Sequence, residues 1–86
     1  MGVNFDDMAL SQLMEWVKEN RKNAEKIYKL ITDIQRNGVS KGIGKPEHLK
    51  YNDGWSRHID HSNRLVYDTD AAGNLRIISC KGHYED

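Results

Sequence analysis

The sequence predicts an α+β sandwich in the order β-α-α-β-β-β, with two amphipathic N-terminal helices packed on a small antiparallel sheet. Three observations lead there. Apolar residues recur at helical spacing between Leu10 and Ile34, and from Trp55 onward the pattern changes to alternation. Between the two lies a glycine-rich stretch, 38–46, that contains the only proline, Pro46. Eighty-six residues make a single domain, 1–86, with a core only just large enough to fold alone.

Val3-Asn4-Phe5 reads as a short terminal strand. Asp6 or Asp7 caps the first helix and puts negative charge at its positive end. Leu10, Leu13, Met14 and Val17 follow the spacing of one buried face, with Trp16 at its margin. A break at Glu19-Asn20 leads into a second helix, roughly Arg21 to Arg36. Its buried face is Ala24, Ile27, Leu30, Ile31 and Ile34, and Lys22, Glu25, Lys26 and Lys29 are solvated. Gly38 stops it by taking the left-handed conformation.

Pro46 fixes its own backbone angle and restricts Lys45, so the loop delivers Glu47 to a defined place. Glu47 to Lys50 reads as a short turn, and Asn52-Asp53-Gly54 as a tight one. Trp55, Arg57 and Ile59 then point one way, and Ser56 and His58 the other. Turns at 60–63 and 70–73 separate this strand from Arg64–Tyr67 and Leu75–Cys80, giving an antiparallel meander.

Thirteen Lys and Arg balance thirteen Asp and Glu, so the whole chain lacks the basic signature of a nucleic-acid binder. The distribution is uneven. Residues 35–64 hold six Lys or Arg against three acids, together with His48, His58 and His61. One cysteine, Cys80, excludes an internal disulfide and fits a reducing cytoplasm. No apolar run is long enough to span a membrane, the N-terminus lacks a signal-peptide core, and Asp6 occupies the Ser or Thr position of a myristoylation motif.

Within the basic middle a lone carboxylate, Glu47, sits among Lys45, Lys50, Arg57, His58 and Arg64, and His83 and Tyr84 return at the end of the chain. A carboxylate amid cations, joined by a histidine and a tyrosine, is an acid/base set suited to a phosphodiester. The bland readings are a Glu47–Lys50 surface pair, strand arginines in cross-strand contacts and a frayed tail. Another chemistry is a zinc site from His58, His61, Cys80 and His83, although these pairs lack the flanking turns of such sites.

The segments GKPEHLK, GWSRHI, NRLVY and the late His83-Tyr84, together with ITDIQRNG, resemble the YoeB/Txe toxins of the RelE superfamily. That resemblance implies a RelE-like, microbial-RNase-like fold and a ribosome-dependent messenger-RNA endonuclease acting in the ribosomal A site. It implies Glu47 as general base for the ribose 2′-hydroxyl, Arg64 as the cation stabilising phosphate charge, and His83 as general acid for the leaving oxygen. Tyr84 would position the nucleotide, with Lys50 near the scissile phosphate. No metal or other cofactor is called for. The implied partners are messenger RNA, the ribosome and a YefM/Axe-like antitoxin that silences the enzyme; some members pair as homodimers.

Two departures stand out. The family pattern W-S-R-R reads W-S-R-H here, so His58 replaces an arginine and loses its bidentate fork. His58 stays in the expected phosphate-binding set with Lys45, Lys50 and Arg57, and doubles as a second acid/base group. The chain also runs past the tyrosine into Glu85-Asp86, whose carboxylates repel RNA. Both departures keep a second reading open: a catalytically weak homologue that acts as an antitoxin- or RNA-binding module.

Overall fold

The computed structural model describes residues 1–83, in which two helices cover one face of a five-stranded sheet. Tyr84 and the Glu85-Asp86 tail, with the roles expected of them, lie outside the described residues. The elements are β1 (Val3–Phe5), α1 (Asp7–Glu19), α2 (Arg21–Asn37), β2 (Glu47–His48), β3 (Trp55–His58), β4 (Arg64–Thr69) and β5 (Leu75–Ser79). They line up as β1-β5-β4-β3-β2. The β3–β4–β5 meander is antiparallel as expected.

Two strands change the expected sheet. β1 joins β5 in parallel, pairing Val3 with Leu75 and Phe5 with Ile77, so the sheet is mixed rather than antiparallel. Asn74 helps fix this edge by accepting a bond from the Gly2 amide at 3.0 Å. Glu47-His48, expected in a turn, is instead a two-residue edge strand pairing with Ser56 and Trp55. The turn comes later, where the Leu49 amide reaches the Gly54 carbonyl at 2.9 Å.

α2 buries the predicted stripe: Ile27, Leu30, Ile31 and Ile34 are all in the core, while Ala24 is half-buried. Opposite them stand Leu65, Tyr67, Leu75 and Ile77. Each such aliphatic side chain contributes about 1.5–3 kcal/mol on burial. Asn20 ends α1 and caps α2, its side chain accepting from the Asn23 amide. Gly38 ends α2 with φ +93° but ψ 175°, so the glycine is needed for its positive φ although the residue is not in the left-handed helical region.

α1 is rolled away from the expected stripe. Ala9 and Trp16 face the core, Leu13 lies at its edge, and Leu10, Met14 and Val17 are exposed. Ala9 is small enough to bring the helix close to Cys80, whose thiol donates to the Ala9 carbonyl at 3.4 Å. Trp16 lies two turns further on, and its indole N–H donates to the Cys80 carbonyl at 2.8 Å. An anchor pair one small and one large, i and i+7, outweighs the larger aliphatic surface beside it.

Candidate functional site

The loop that delivers Glu47 is held from below by Arg57. Strand alternation turns Arg57 toward the helices, where its side chain is 0% exposed. Nε donates to the Tyr67 hydroxyl at 2.9 Å. Nη1 donates to Asp33 Oδ2 at 2.6 Å and the Ile43 carbonyl at 3.0 Å, and Nη2 to the carbonyls of Gly38 and Lys41 at 3.0 and 2.7 Å. All five guanidinium N–H groups are thereby used inside the protein. Tyr67 in turn donates to the Val39 carbonyl at 2.7 Å. Arg57 therefore does not belong in the phosphate-binding set; it is the frame on which residues 38–43 are wound.

Bonding to Arg57, ahead of the backbone amide of Ile43 and the Asn37 side chain, holds the Asp33 carboxyl below its usual range despite some burial. Gly42, at φ +124°, fits because a Cβ there would stand 1.8 Å from Asp33 Oδ2. Past this knot the Gly44 carbonyl accepts the His58 amide at 2.7 Å. Lys45 then takes φ +54°, the only positive φ outside glycine among the described residues. This differs from the extended backbone that a following proline ordinarily imposes, and it swings the chain into the β2 edge.

A second frame holds the other half of the site. Asp60 accepts from the Ser62 and Asn63 amides, both at 2.8 Å, and from the side chains of Asn63 and Asn23. Burial favours its neutral form, but these donors outweigh it and hold the carboxyl down at about 2. The turn so fixed presents the carbonyls of Asp60, His61 and Asn63 to Arg64 Nη1 at 3.1–3.3 Å. Asn63 Oδ1 also accepts the Gly82 amide at 2.8 Å, and the Arg64 amide donates to the Gly82 carbonyl at 3.0 Å. His83 follows directly and is exposed.

The tail reaches that point under restraint. Gln12 accepts the Cys80 amide at 2.7 Å, and Lys81 Nζ bonds Glu15 and Glu19 at 3.1 and 2.9 Å while lying 4.9 Å from the Trp16 ring centre. α1 thus anchors the segment that carries His83.

Across the open face of the sheet the site reads as a row. Glu47 stands on β2, His58 on β3, and Arg64 on β4 is the register partner of His58. His58 Nε2 is 3.9 Å from Glu47 Oε1, with the carboxylate side chain 65% exposed and the imidazole 32%. Burial first, then the Arg64 charge, push the His58 imidazole below its ordinary value. Glu47 pulls upward, while Lys45 and His61 add to the downward push. These surroundings favour the uncharged ring over the imidazolium. Lys45 and Lys50, two residues before and three after Glu47 in the chain, are exposed. The row combines an accessible carboxylate, an imidazole and a guanidinium whose Nε and Nη2 bond no other side chain or carbonyl among the described residues.

The structure brings together Lys45, Glu47, His58 and Arg64 along one edge-to-centre path and ties His83 to the backbone of Arg64, while Lys50 is exposed in the turn that follows β2. It excludes Arg57. The Cys80 thiol, a candidate zinc ligand, is buried against α1 and pushed up to about 11, chiefly by burial. Among the described residues no cluster of three or more His, Cys, Asp or Glu is placed to hold a metal. A cleft of about 450 Å³ beside Leu13, Val17, Ala24 and Tyr28 lies on the helical side, away from the row. The sequence reading missed Asp33, Asp60, Asn63 and Asn23 as frame residues; only the Asp60-His61-Ser62-Asn63 turn signal pointed toward two of them.

Comparison with known proteins bears on this arrangement. The family described as the YoeB-like toxin of bacterial type II toxin-antitoxin system matches residues 5–84. Toxin RelK of Mycobacterium tuberculosis is 43% identical over 84 residues, spanning 95% of this chain and 94% of that protein. The heterotetrameric YoeB-YefM toxin-antitoxin complex of Staphylococcus aureus contains a chain 38% identical, with a TM-score of 0.88 and 98% of each chain covered. The YoeB dimer from Staphylococcus aureus superposes with a TM-score of 0.90 at 38% identity, again over 98% of each chain.

Proposed function

The chain belongs to the YoeB-like toxins of bacterial type II toxin-antitoxin systems, and from that premise we propose that it is a ribosome-dependent endoribonuclease that cuts messenger RNA in the ribosomal A site. The observation that carries this reading is the row Glu47–His58–Arg64 on the open face, with His83 tied to the Arg64 backbone through Gly82. An open face suits a polymer that must be laid across the site.

Glu47 accepts the proton of the ribose 2′-hydroxyl as its oxygen attacks the adjacent phosphorus. Arg64, with Lys45 and Lys50, stabilises the charge that grows on the phosphate oxygens. His83 gives a proton to the departing 5′-oxygen, and Tyr84 positions the nucleotide. The chemistry needs no metal ion. Its products are a 2′,3′-cyclic phosphate, or its opened 3′-phosphate, and a 5′-hydroxyl end. General acid–base groups of this kind contribute roughly 10²- to 10⁴-fold each.

The Staphylococcus aureus relatives are seen with YefM and as a dimer. A YefM/Axe-like antitoxin is therefore proposed as the silencing partner here, homodimerisation as a property to be measured, and the cytoplasm as the compartment. One observation favours a second reading, a catalytically weak homologue that binds antitoxin or RNA. Arg57 is buried and the surroundings of His58 disfavour its charged form, so two of four expected phosphate ligands are weakened as sources of accessible charge.

One assay separates the two. A defined message on programmed ribosomes is treated with wild type, Glu47→Ala and His83→Ala, and the ends are mapped. The nuclease reading expects A-site cuts with 5′-hydroxyl ends that both substitutions suppress by about 10² or more. Folded wild-type protein that leaves the message intact selects the binding module.

A further inference from the structure

We propose that His58 is the second half of the base: the proton that Glu47 takes from the attacking hydroxyl passes to His58 Nε2, and the two side chains work as one unit. This rests on the endoribonuclease reading above and changes what the base is.

The geometry allows it. A separation of 3.9 Å between Nε2 and Oε1 is too long for a direct hydrogen bond. Two atoms so spaced can nevertheless both reach a single oxygen at about 2.8 Å, an ordinary hydrogen-bond length. A water set between the pair accepts the proton from protonated Glu47 and donates one of its own to Nε2, while the ribose hydroxyl meets the other Glu47 oxygen, so the relay needs neither side chain to move. The backbone at His58 is held by its amide bond to the Gly44 carbonyl at 2.7 Å and by its register with Arg64, so the imidazole has a fixed origin.

The charges facing His58 come from every element around it: Glu47 on β2, Lys45 in the preceding loop, Arg64 on β4 and His61 in the following turn. Without RNA, burial and the cations favour the neutral ring, the form that can accept a proton. A phosphate held by Arg64 and Lys45 offsets those two positive charges and leaves the Glu47 carboxylate as the dominant neighbour. The imidazole then gains basicity as the substrate arrives. A base with that behaviour is better matched to neutral pH than a carboxylate alone.

The step balances. The O2′–H bond breaks and its proton moves by way of Glu47 and the water to Nε2. The O2′–P bond forms, the P–O5′ bond breaks, and the electron pair leaves on O5′, which takes a proton from the His83 imidazolium. His58 ends protonated and His83 neutral, and solvent restores both.

The test is single-turnover cleavage on programmed ribosomes, over a pH range on both sides of the ordinary histidine value, with wild type, Glu47→Gln, His58→Gln and the double variant. The proposal expects wild-type cleavage to fall on the acid side as the imidazole is protonated before RNA binds. His58→Gln should be slower by about ten- to a hundredfold at neutral pH and lose that acid limb. The double variant should be no more than severalfold slower than the slower single one, because the unit is already broken. His58→Gln with the wild-type rate and profile, or losses that multiply, would overturn the proposal and leave the endoribonuclease reading standing. Folded wild-type protein that cuts nothing would overturn both.

Discussion

Arg57 and Arg64 occupy adjacent strands, β3 and β4, of the same antiparallel pair, yet they face opposite sides of the sheet. Arg57 points among the helices and spends every N–H on Tyr67, Asp33 and three carbonyls. Arg64 points to the open face, with one terminal nitrogen resting on the carbonyls of the 60–63 turn. The same residue type thus builds a frame on one side and, in the proposed function, a reaction surface on the other. Side-chain direction decides between the two roles, because a guanidinium sealed among protein acceptors has nothing left for a phosphate.

The comparison can be broken most violently at the frame. Arg57→Ala leaves the Asp33 carboxylate and the loop carbonyls without their donor, at a cost of about 3–5 kcal/mol. A domain this small has about 5–15 kcal/mol in total, so urea unfolding followed by circular dichroism should show a largely unfolded or barely stable variant. Arg57→Lys should recover part of this, since a lysine keeps the charge but not the five-donor fork.

Acid should attack the second frame. The Asp60 carboxyl lies at about 2 in the folded protein, below the ordinary value of about 3.9. A depressed carboxyl stabilises the fold above the ordinary value, and that stability is lost as pH falls toward the folded value; Asp33 acts in the same direction. The expected loss at Asp60 is about 2 kcal/mol, read as a lower urea midpoint at acidic pH. Asp60→Asn should show a similar deficit already at neutral pH, with a shallower acid dependence.

A smaller effect is expected where α1 holds the tail. Trp16→Phe keeps the packing but removes the indole bond to the Cys80 carbonyl, costing about 1 kcal/mol. Cleavage should fall severalfold beyond that, because His83 loses an anchor. The smallest effect sharpens the contrast from the site side. Lys45→Gly should relieve the positive φ and stabilise by about 0.5–1 kcal/mol, while cleavage weakens through the lost charge; a thermal melt beside a cleavage assay reads both.

Much of this was legible in the chain. The alternation Trp55, Arg57, Ile59 against Ser56, His58 has the phase seen in the structure, and the buried stripe of α2 is as periodicity predicts. The phase already implied that Arg57 looks inward, but composition ranked it with the surface cations, because a fully satisfied buried arginine requires acceptors from Asp33 and residues 38–43 that spacing does not reveal. The α1 face failed for a related reason. Counting aliphatic side chains favours Leu10, Met14 and Val17, whereas the sheet accepts the face whose small Ala9 allows close approach and whose Trp16 finds a carbonyl. β2 was missed because a two-residue edge strand has no period of its own and exists only through its partner β3.

The proposed division of labour is that the open-face row performs the cutting while the frame beneath it is held chiefly by other side chains. It is tested most directly by measuring Arg64→Ala in one preparation for both thermal midpoint and message cleavage on programmed ribosomes. The account predicts a midpoint within a few degrees of wild type, a stability change below about 1 kcal/mol, and cleavage slower by about 10² or more. A midpoint that falls as far as Arg57→Ala brings it, or cleavage that survives intact, would contradict the division between the two arginines.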